Sequence, residues 1–312
     1  MSLIAFLGAV ESGLIFGLVA LGVFLSFRIL DFPDLTVDGS FPLGGAVSAT
    51  LIVSGWDPFL ATAIAIVAGA MAGAVTALLN VKLRILHLLA SILTMIALYS
   101  VNLRIMGRPN VALLMEPTVF SFVEAPGMPS RSWMIPAVLL VVIVLALIAF
   151  NLFMASRAGL AMRATGANAR MAGAQGVSTA GAIVLGMAMS NGLVALAGAL
   201  FAQSQGGADV TMGVGVIVVG LASVIGGEAV MPTRTVLLAS IACVIGAIMY
   251  RLAVALALNA DSIGLQAQDL NLITAVLVAV AMVLPGSRAS VRRTFRRVLG
   301  LGDGNGGGGA RP

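Results

Sequence analysis

The sequence predicts an all-α protein that crosses a membrane many times, and three observations predict it. Uncharged apolar runs recur along the chain at about the twenty residues that an α-helix needs to cross the hydrocarbon layer. Hydrophobic residues make up 60% of the 312 and charged residues 9%, with a mean hydropathy of +1.11, whereas a soluble domain carries about a quarter charged residues. The third observation is internal: Gly17-Leu18-Val19-Ala20-Leu21 returns 175 residues later as Gly192-Leu193-Val194-Ala195-Leu196, and Asp34-Leu35-Thr36-Val37 as Asp209-Val210-Thr211-Met212. Gly45 and Ser48 are matched in the same way by Gly220 and Ser223, so ten of the thirty-two positions from 17 to 48 are identical to 192 to 223. Such self-similarity at one offset reads as a duplication. A membrane barrel would show short alternating segments instead.

Nine spans are expected, near residues 3–27, 42–54, 58–80, 86–106, 133–153, 178–203, 213–226, 234–257 and 269–285. The first has no basic residue before it and Arg28 directly after it, the reverse of a cleavable signal peptide, so it stays as a span. The second and seventh are too short to cross alone, which fits broken helices sheltered by protein. Lys82, Arg84 and His87, then Arg157, Arg163 and Arg170, then Arg288, Arg292, Arg293, Arg296 and Arg297 all fall on one side under this count. By the positive-inside rule that side is the cytoplasm, with the amino terminus outside and the carboxyl terminus inside. Arg104, Arg108 and Arg131 oppose the rule, yet they share a loop with Glu116, Glu124 and four prolines, which reads as an ordered external segment. The transmembrane unit is then 1–285: repeat 1 at 3–106, a connector span at 133–153, a cytoplasmic region at 155–177, and repeat 2 at 178–285. Five spans separate the repeated stretches, so the second copy is inverted, and inverted repeats place binding sites at their interface. Residues 286–301 form a basic amphipathic tail with Val291, Phe295, Val298 and Leu299 on one face, suited to an anionic lipid surface or to anchoring the topology. Residues 302–312 are glycine-rich and expected to be disordered.

Several function classes drop out on composition. The net charge of +5 comes from basic residues scattered among loops, whereas a nucleic-acid surface gathers them on one face. Cys243 is alone in an apolar run and His87 is the only histidine, so neither a disulfide nor a transition-metal site is expected. Cys243 reads as a buried small hydrophobe and His87 as a charge at head-group level. Asp34 and Asp38 lie four residues apart, but no second helix presents a matched acid at their depth, so no intramembrane hydrolase and no catalytic residue is assigned. The 37 glycines point to close helix packing.

Acids near lipid are costly, which makes their placement informative. Asp34, Thr36, Asp38 and Ser40 precede the short second span on the inner side, and Asp209 and Thr211 precede the short seventh on the outer side. Ser48 and Ser223 on the short helices, and Asn191 with Ser190 and Gln203 on the sixth span, complete the polar candidates for a translocation pathway. The alternative for the acids is capping of orphan amides at the start of a broken helix, and the two roles are compatible.

The stretch 155–177 reads as two short helices broken at Gly166 and ended at Gly176, with Asn168 capping the second and with Arg163, Arg170 and Met171 offered to a groove on a cytosolic partner. Here a resemblance becomes specific. The run Arg157-Ala158-Gly159-Leu160-Ala161-Met162-Arg163-Ala164-Thr165-Gly166-Ala167-Asn168-Ala169-Arg170-Met171-Ala172, then Gly176-Val177, resembles the coupling-helix region of permease subunits in the branched-chain amino acid and ribose group of ATP-binding-cassette importers. Asp31 to Ser40 resembles that family's aspartate and glycine motif after an early span. Asp34 to Ser40 and Ser190 to Leu200 are most similar to a subgroup of uncharacterised or aromatic amino acid permeases, and the likeness covers about residues 5–285.

The resemblance implies a type II-like permease fold with alternating access, a bacterial inner-membrane location, and a small polar solute as cargo, amino acids first. It implies two cytosolic ATPase subunits, an extracytoplasmic solute-binding protein and a second permease copy, as a homodimer or with a related chain. It places Arg163, Gly166, Asn168, Ala169, Met171, Ala172 and Gly176 at the ATPase contact. No glycine-lysine phosphate loop occurs in the chain, so ATP and Mg belong to the partner ATPase and no cofactor is expected here. An ion-coupled secondary transporter is the alternative class, because inverted repeats with broken helices serve it equally well.

Overall fold

The computed structural model describes residues 3–121, 131–231, 233–258 and 276. Among them the chain is an all-α polytopic membrane protein, with six helices long and apolar enough to cross a bilayer and two shorter apolar ones. The order is α1 (Leu3–Val23), continued by a π-helical turn (Phe24–Ile29), α2 (Val37–Val53), α3 (Pro58–Leu83), α4 (His87–Met106), β1 (Asn110–Ala112), α5 (Arg131–Ala155), α6 (Arg157–Ala167), α7 (Ala169–Ala174), α8 (Thr179–Gln205), β2 (Gly207–Asp209), α9 (Val216–Val230) and α10 (Val236–Leu258). Apart from Val276, the expected span 269–285, the tail and the glycine-rich end lie outside the described residues.

Local chemistry sets the boundaries. Asp57 accepts from the Phe59 and Leu60 amides and Pro58 opens α3, a side-chain cap followed by a residue whose missing N–H costs nothing there. Gly107 and Gly206, both at positive φ, end α4 and α8. The short second helix starts at Val37 rather than near 42, because Pro42 falls early enough in α2 to be carried inside it. Pro42 has no N–H for the Asp38 carbonyl four residues back, and Gly213 lies against that carbonyl.

Between α6 and α7 the expected break at Gly166 moves to Asn168. Gly166 is helical, and a Cβ there would run into the Ile29 carbonyl, so its glycine serves close approach. Asn168 is extended (φ −163°, ψ 97°) and its Oδ1 accepts from the Met171 amide at 3.0 Å, the cap its sequence position suggested. An element the sequence did not announce is the ribbon, where β1 pairs antiparallel with β2 and Asn110 opposes Asp209.

Contacts between glycines and facing backbones give the helix directions. A Cβ on Gly69 or Gly73 of α3 would strike the Asn191 or Met187 carbonyl of α8, and Thr62 meets Gln203, so α3 and α8 are antiparallel. Likewise Gly17 and Gly13 of α1 seat on Val244 and Ile248 of α10. The 175-residue offset carries positions 69 and 73 onto 244 and 248. Thus α3 packs on α8 as α10 packs on α1, with glycine on α3 in one crossing and on α1 in the other. Helices without a hydrophobic force between them rely on such close approach. Of the long helices, α8 and α1 are the most buried and α5 and α4 the least.

The molecule therefore has two distinct ends. At one, Ala46, Ala49 and Ile52 of α2 and Met106 of α4 pack with Val111 and Ala208 of the ribbon. At the other, α6 lies on the end of the π-helical turn, and Glu228 of α9 pairs with Arg28 at 2.9 Å.

The α3–α8 crossing has no room for a side chain on its glycines. Gly73→Val is expected to destabilise the purified protein by about 3 kcal/mol, the upper range for overpacking, whereas Gly173→Ala in exposed α7, where a Cβ meets nothing, is expected to be neutral. Thermal unfolding in detergent, followed by size exclusion, measures both.

Candidate functional site

The descent from α1 turns back into the molecule at residues 30–36, and it does so on hydrogen bonds to neutral groups. Asp34, 1% exposed, accepts the Thr36 amide at 2.9 Å through Oδ1 and the Asn191 Nδ2 at 2.7 Å through Oδ2. Asn191 Oδ1 accepts the Ser40 hydroxyl at 2.7 Å, and its Nδ2 also reaches the Met187 carbonyl. The Thr36 and Thr76 hydroxyls meet at 2.8 Å. Four sequence candidates, Asp34, Thr36, Ser40 and Asn191, thus form one buried network joining the 34–40 segment to α3 and to the middle of α8. Buried polar groups need this completeness, since each unmet partner costs about 1–3 kcal/mol.

Asp38 turns the other way. Its Oδ1 accepts from the Ile217 amide at 2.7 Å and its Oδ2 from the Gly215 amide at 3.2 Å. Gly215 is the cap position of α9 and has no side chain to serve it, so a carboxylate from α2 caps α9 across the fold. The start of α9 carries partial positive charge, which an acid stabilises. From this junction α2 runs to the ribbon end and α9 to the α6 end, so the two short helices begin head to head in the interior.

Beside the junction, α2, α4 and the 210–214 turn border a half-open cavity of about 410 Å³ lined by Asp38, Met95, Tyr99, Asn102, Thr211 and Val214, among others. Asn102 is fully buried. Its Nδ2 donates to the Gly39 carbonyl at 3.2 Å, while its Oδ1 has no partner.

Asp209 lies apart from Asp34, just past the end of α8 in the ribbon. It accepts the Thr211 amide at 2.7 Å and the Thr211 hydroxyl at 2.5 Å, and Asn110 Nδ2 approaches at 3.3 Å. The Thr211 hydroxyl, and then its amide, hold this carboxyl below the usual range. The turn at Asp209-Thr211 has the same side-chain-to-amide bond as that at Asp34-Thr36, 175 residues earlier. Ser48 and Ser223 bond the Gly45 and Val219 carbonyls of their own helices, a helix-internal role.

Along α6 and α7, Arg163, Asn168, Ala169 and Met171 are exposed, Met171 by 62%. Gly176 is exposed at φ 82°. Gly166 and Ala172 were expected on this outer surface and instead face the body of the chain, Gly166 because the Ile29 carbonyl occupies the space beside it.

Residues 5–284 match the family described as branched-chain amino acid transport system / permease component. The chain belongs to that family. It is 34% identical over 293 residues to the tyrosine transport system permease protein of Clostridioides difficile, covering 94% of this chain and 95% of the relative. It is 36% identical over 282 residues to an uncharacterized protein of Rickettsia prowazekii, covering 88% and 95%. No solved structure matches. The permease is a transporter component and not an enzyme.

Sequence reasoning about this permease passed over Asn102 and Tyr99. The signal was present, because Asn102 is a lone amide inside an apolar span, where polar side chains are expensive. Thr76 gave no signal, since threonine inside an apolar helix ordinarily bonds its own backbone, as Thr76 also does to the Ala72 carbonyl.

Asn191 is the hub of the buried network. Asn191→Ala leaves Asp34 Oδ2 and Ser40 without their partners and is expected to cost about 3 kcal/mol. Asp34→Leu combined with Asn191→Leu is expected to cost less than the two single changes summed, because each removes the other's missing partner. Denaturant unfolding of the four proteins in detergent gives the coupling.

Proposed function

We propose that the chain is the membrane-spanning subunit of an ATP-driven importer that moves amino acids across a bacterial inner membrane by alternating access. The observation that carries the reading is the head-to-head start of α2 and α9 at Asp38, in a chain of a transport-permease family. Broken helices that begin inside a transporter put their amides and dipoles at the solute route. The exchanged packing of α3 on α8 and α10 on α1 supports two inverted repeats facing one another there. The tyrosine permease relative makes tyrosine the first cargo to test.

In this reading two cytosolic ATPases, which bind ATP and Mg, grip α6 and α7 through Arg163, Asn168, Ala169, Met171 and Gly176. An extracytoplasmic binding protein docks at the ribbon end, near Asp209 and Thr211. The amino terminus lies outside and the carboxyl terminus in the cytoplasm, and two copies of the chain form the pathway. ATP binding closes the ATPase pair, α6 and α7 pass the movement to the π-helical turn and α8 on which they rest, and the junction at Asp38 opens to one side or the other.

Vesicles holding the permease and its ATPase subunits are expected to accumulate tyrosine when binding protein and Mg-ATP are present, with no ion gradient. Accumulation driven by a gradient alone, with ATP making no difference, would show a secondary transporter. Met171→Asp is expected to lower ATP-driven uptake about tenfold, the loss of roughly 1.4 kcal/mol of contact energy, with membrane insertion unchanged.

A further inference from the structure

We propose that the cavity between α2, α4 and the 210–214 turn is a solute subsite on the permease itself, and that it takes an amino acid with an aromatic or large apolar side chain. The inference rests on the importer reading and adds where the permease touches its cargo. The volume of about 410 Å³ falls within the range of small-molecule sites, which are mostly apolar with a few placed polar groups. Pro42, Met95, Ile96, Val210 and Val214 supply the apolar wall, with the Tyr99 ring beside them. Polarizable methionine and an aromatic ring are good partners for a flat side chain.

Among the polar side chains of the lining, Tyr99, Ser100 and Thr211 carry hydroxyls, while Asp38 and Asn102 bring the stronger acceptors. The Asn102 Oδ1 is a buried acceptor without a donor, a costly state that natural structures keep for a reason. Asp38 lines the same cavity, and each of its carboxylate oxygens, bonded to one amide, has a further lone pair. No basic side chain lines the cavity. Two acceptors, one of them acidic, ask for a cationic group with several donors, and an ammonium has three. A lipid acyl chain would satisfy the wall and leave Asn102 as it stands.

The cavity also bridges the sequence-related halves: α2 and α4 come from the first and the 210–214 turn from the second. A ligand held between them is released when the junction at Asp38 opens.

The test uses the purified permease–ATPase complex in nanodiscs, without binding protein, and scintillation proximity with tritiated tyrosine and, in parallel, tritiated leucine. Saturable binding is expected, competed by phenylalanine and tryptophan but not by N-acetyltyrosine, which lacks the ammonium. Tyr99→Ala, Asn102→Leu and Ile96→Trp are expected to weaken it at least about tenfold. Tyr99 and Ile96 are 51% and 61% exposed, so their replacement keeps the test valid should Asn102→Leu fail to assemble. No saturable binding of either amino acid, equal competition by N-acetyltyrosine, or wild-type binding by Tyr99→Ala and Ile96→Trp overturns the subsite. If the wild-type system takes up tyrosine while these variants match it in KM, the subsite fails and the importer reading stands. If no amino acid is taken up with every component present, the importer reading itself fails.

Discussion

A helix that begins inside a bilayer has amides to satisfy where no water is at hand, and Asp38 is what allows α9 to begin where it does. Its two oxygens serve the Gly215 and Ile217 amides, and the glycine at the cap position supplies the positive φ of 81° that the turn into α9 requires. The arrangement ties the first turn of α2 to the first turn of α9, so the position of either short helix depends on the other. Much of the rest follows from holding that junction. Gly213 lies against the Asp38 carbonyl and the Pro42 ring, where a Cβ would have no room. The 34–40 segment is fastened from behind by Asn191, and Asn102 holds the Gly39 carbonyl from the side of α4.

The frame around the junction is built from small residues. In lipid the apolar effect does not distinguish a neighbouring helix from an acyl chain, so contact area and polar bonds decide which helices associate. Glycines at 13 and 17, 69 and 73, and 198, 227 and 246 bring backbones together at the α1–α10, α3–α8, α2–α8 and α9–α10 crossings. The Ser190 hydroxyl adds a bond from α8 to the Gly22 carbonyl of α1. Close crossings and a polar junction divide the work: the first hold the long helices against one another, the second joins the starts of the two short ones.

The long helices were legible because their signal is local and strong. Six expected spans agree with the observed helices at both ends to within three residues, each an apolar run closed by a charge, a glycine or a proline. Asn168 was legible as a cap for the same reason. The start of α2 was not, because Pro42 reads as a beginning while the helix absorbs it. The ribbon was invisible: its strands have three residues each and pair across almost a hundred positions, so neither contains a pattern by itself. Gly166 was misread as a breaker since a sequence shows that a side chain is missing but not what occupies its space.

The two Asp-x-Thr turns share a local bond and differ in what surrounds it. At 34–36 and 209–211 the local bond is the same, a carboxylate oxygen to the amide two residues on, because that geometry needs only the two residues themselves. The surroundings differ. Asp34 is sealed among Asn191, Thr36 and Ser40, whereas Asp209 is partly exposed beside Asn110. A turn with no local preference between burial and exposure takes its environment from the helices around it. The same turn therefore serves in two environments of one fold, and the difference between them resides in Asn191 and Asn110 rather than in the turns.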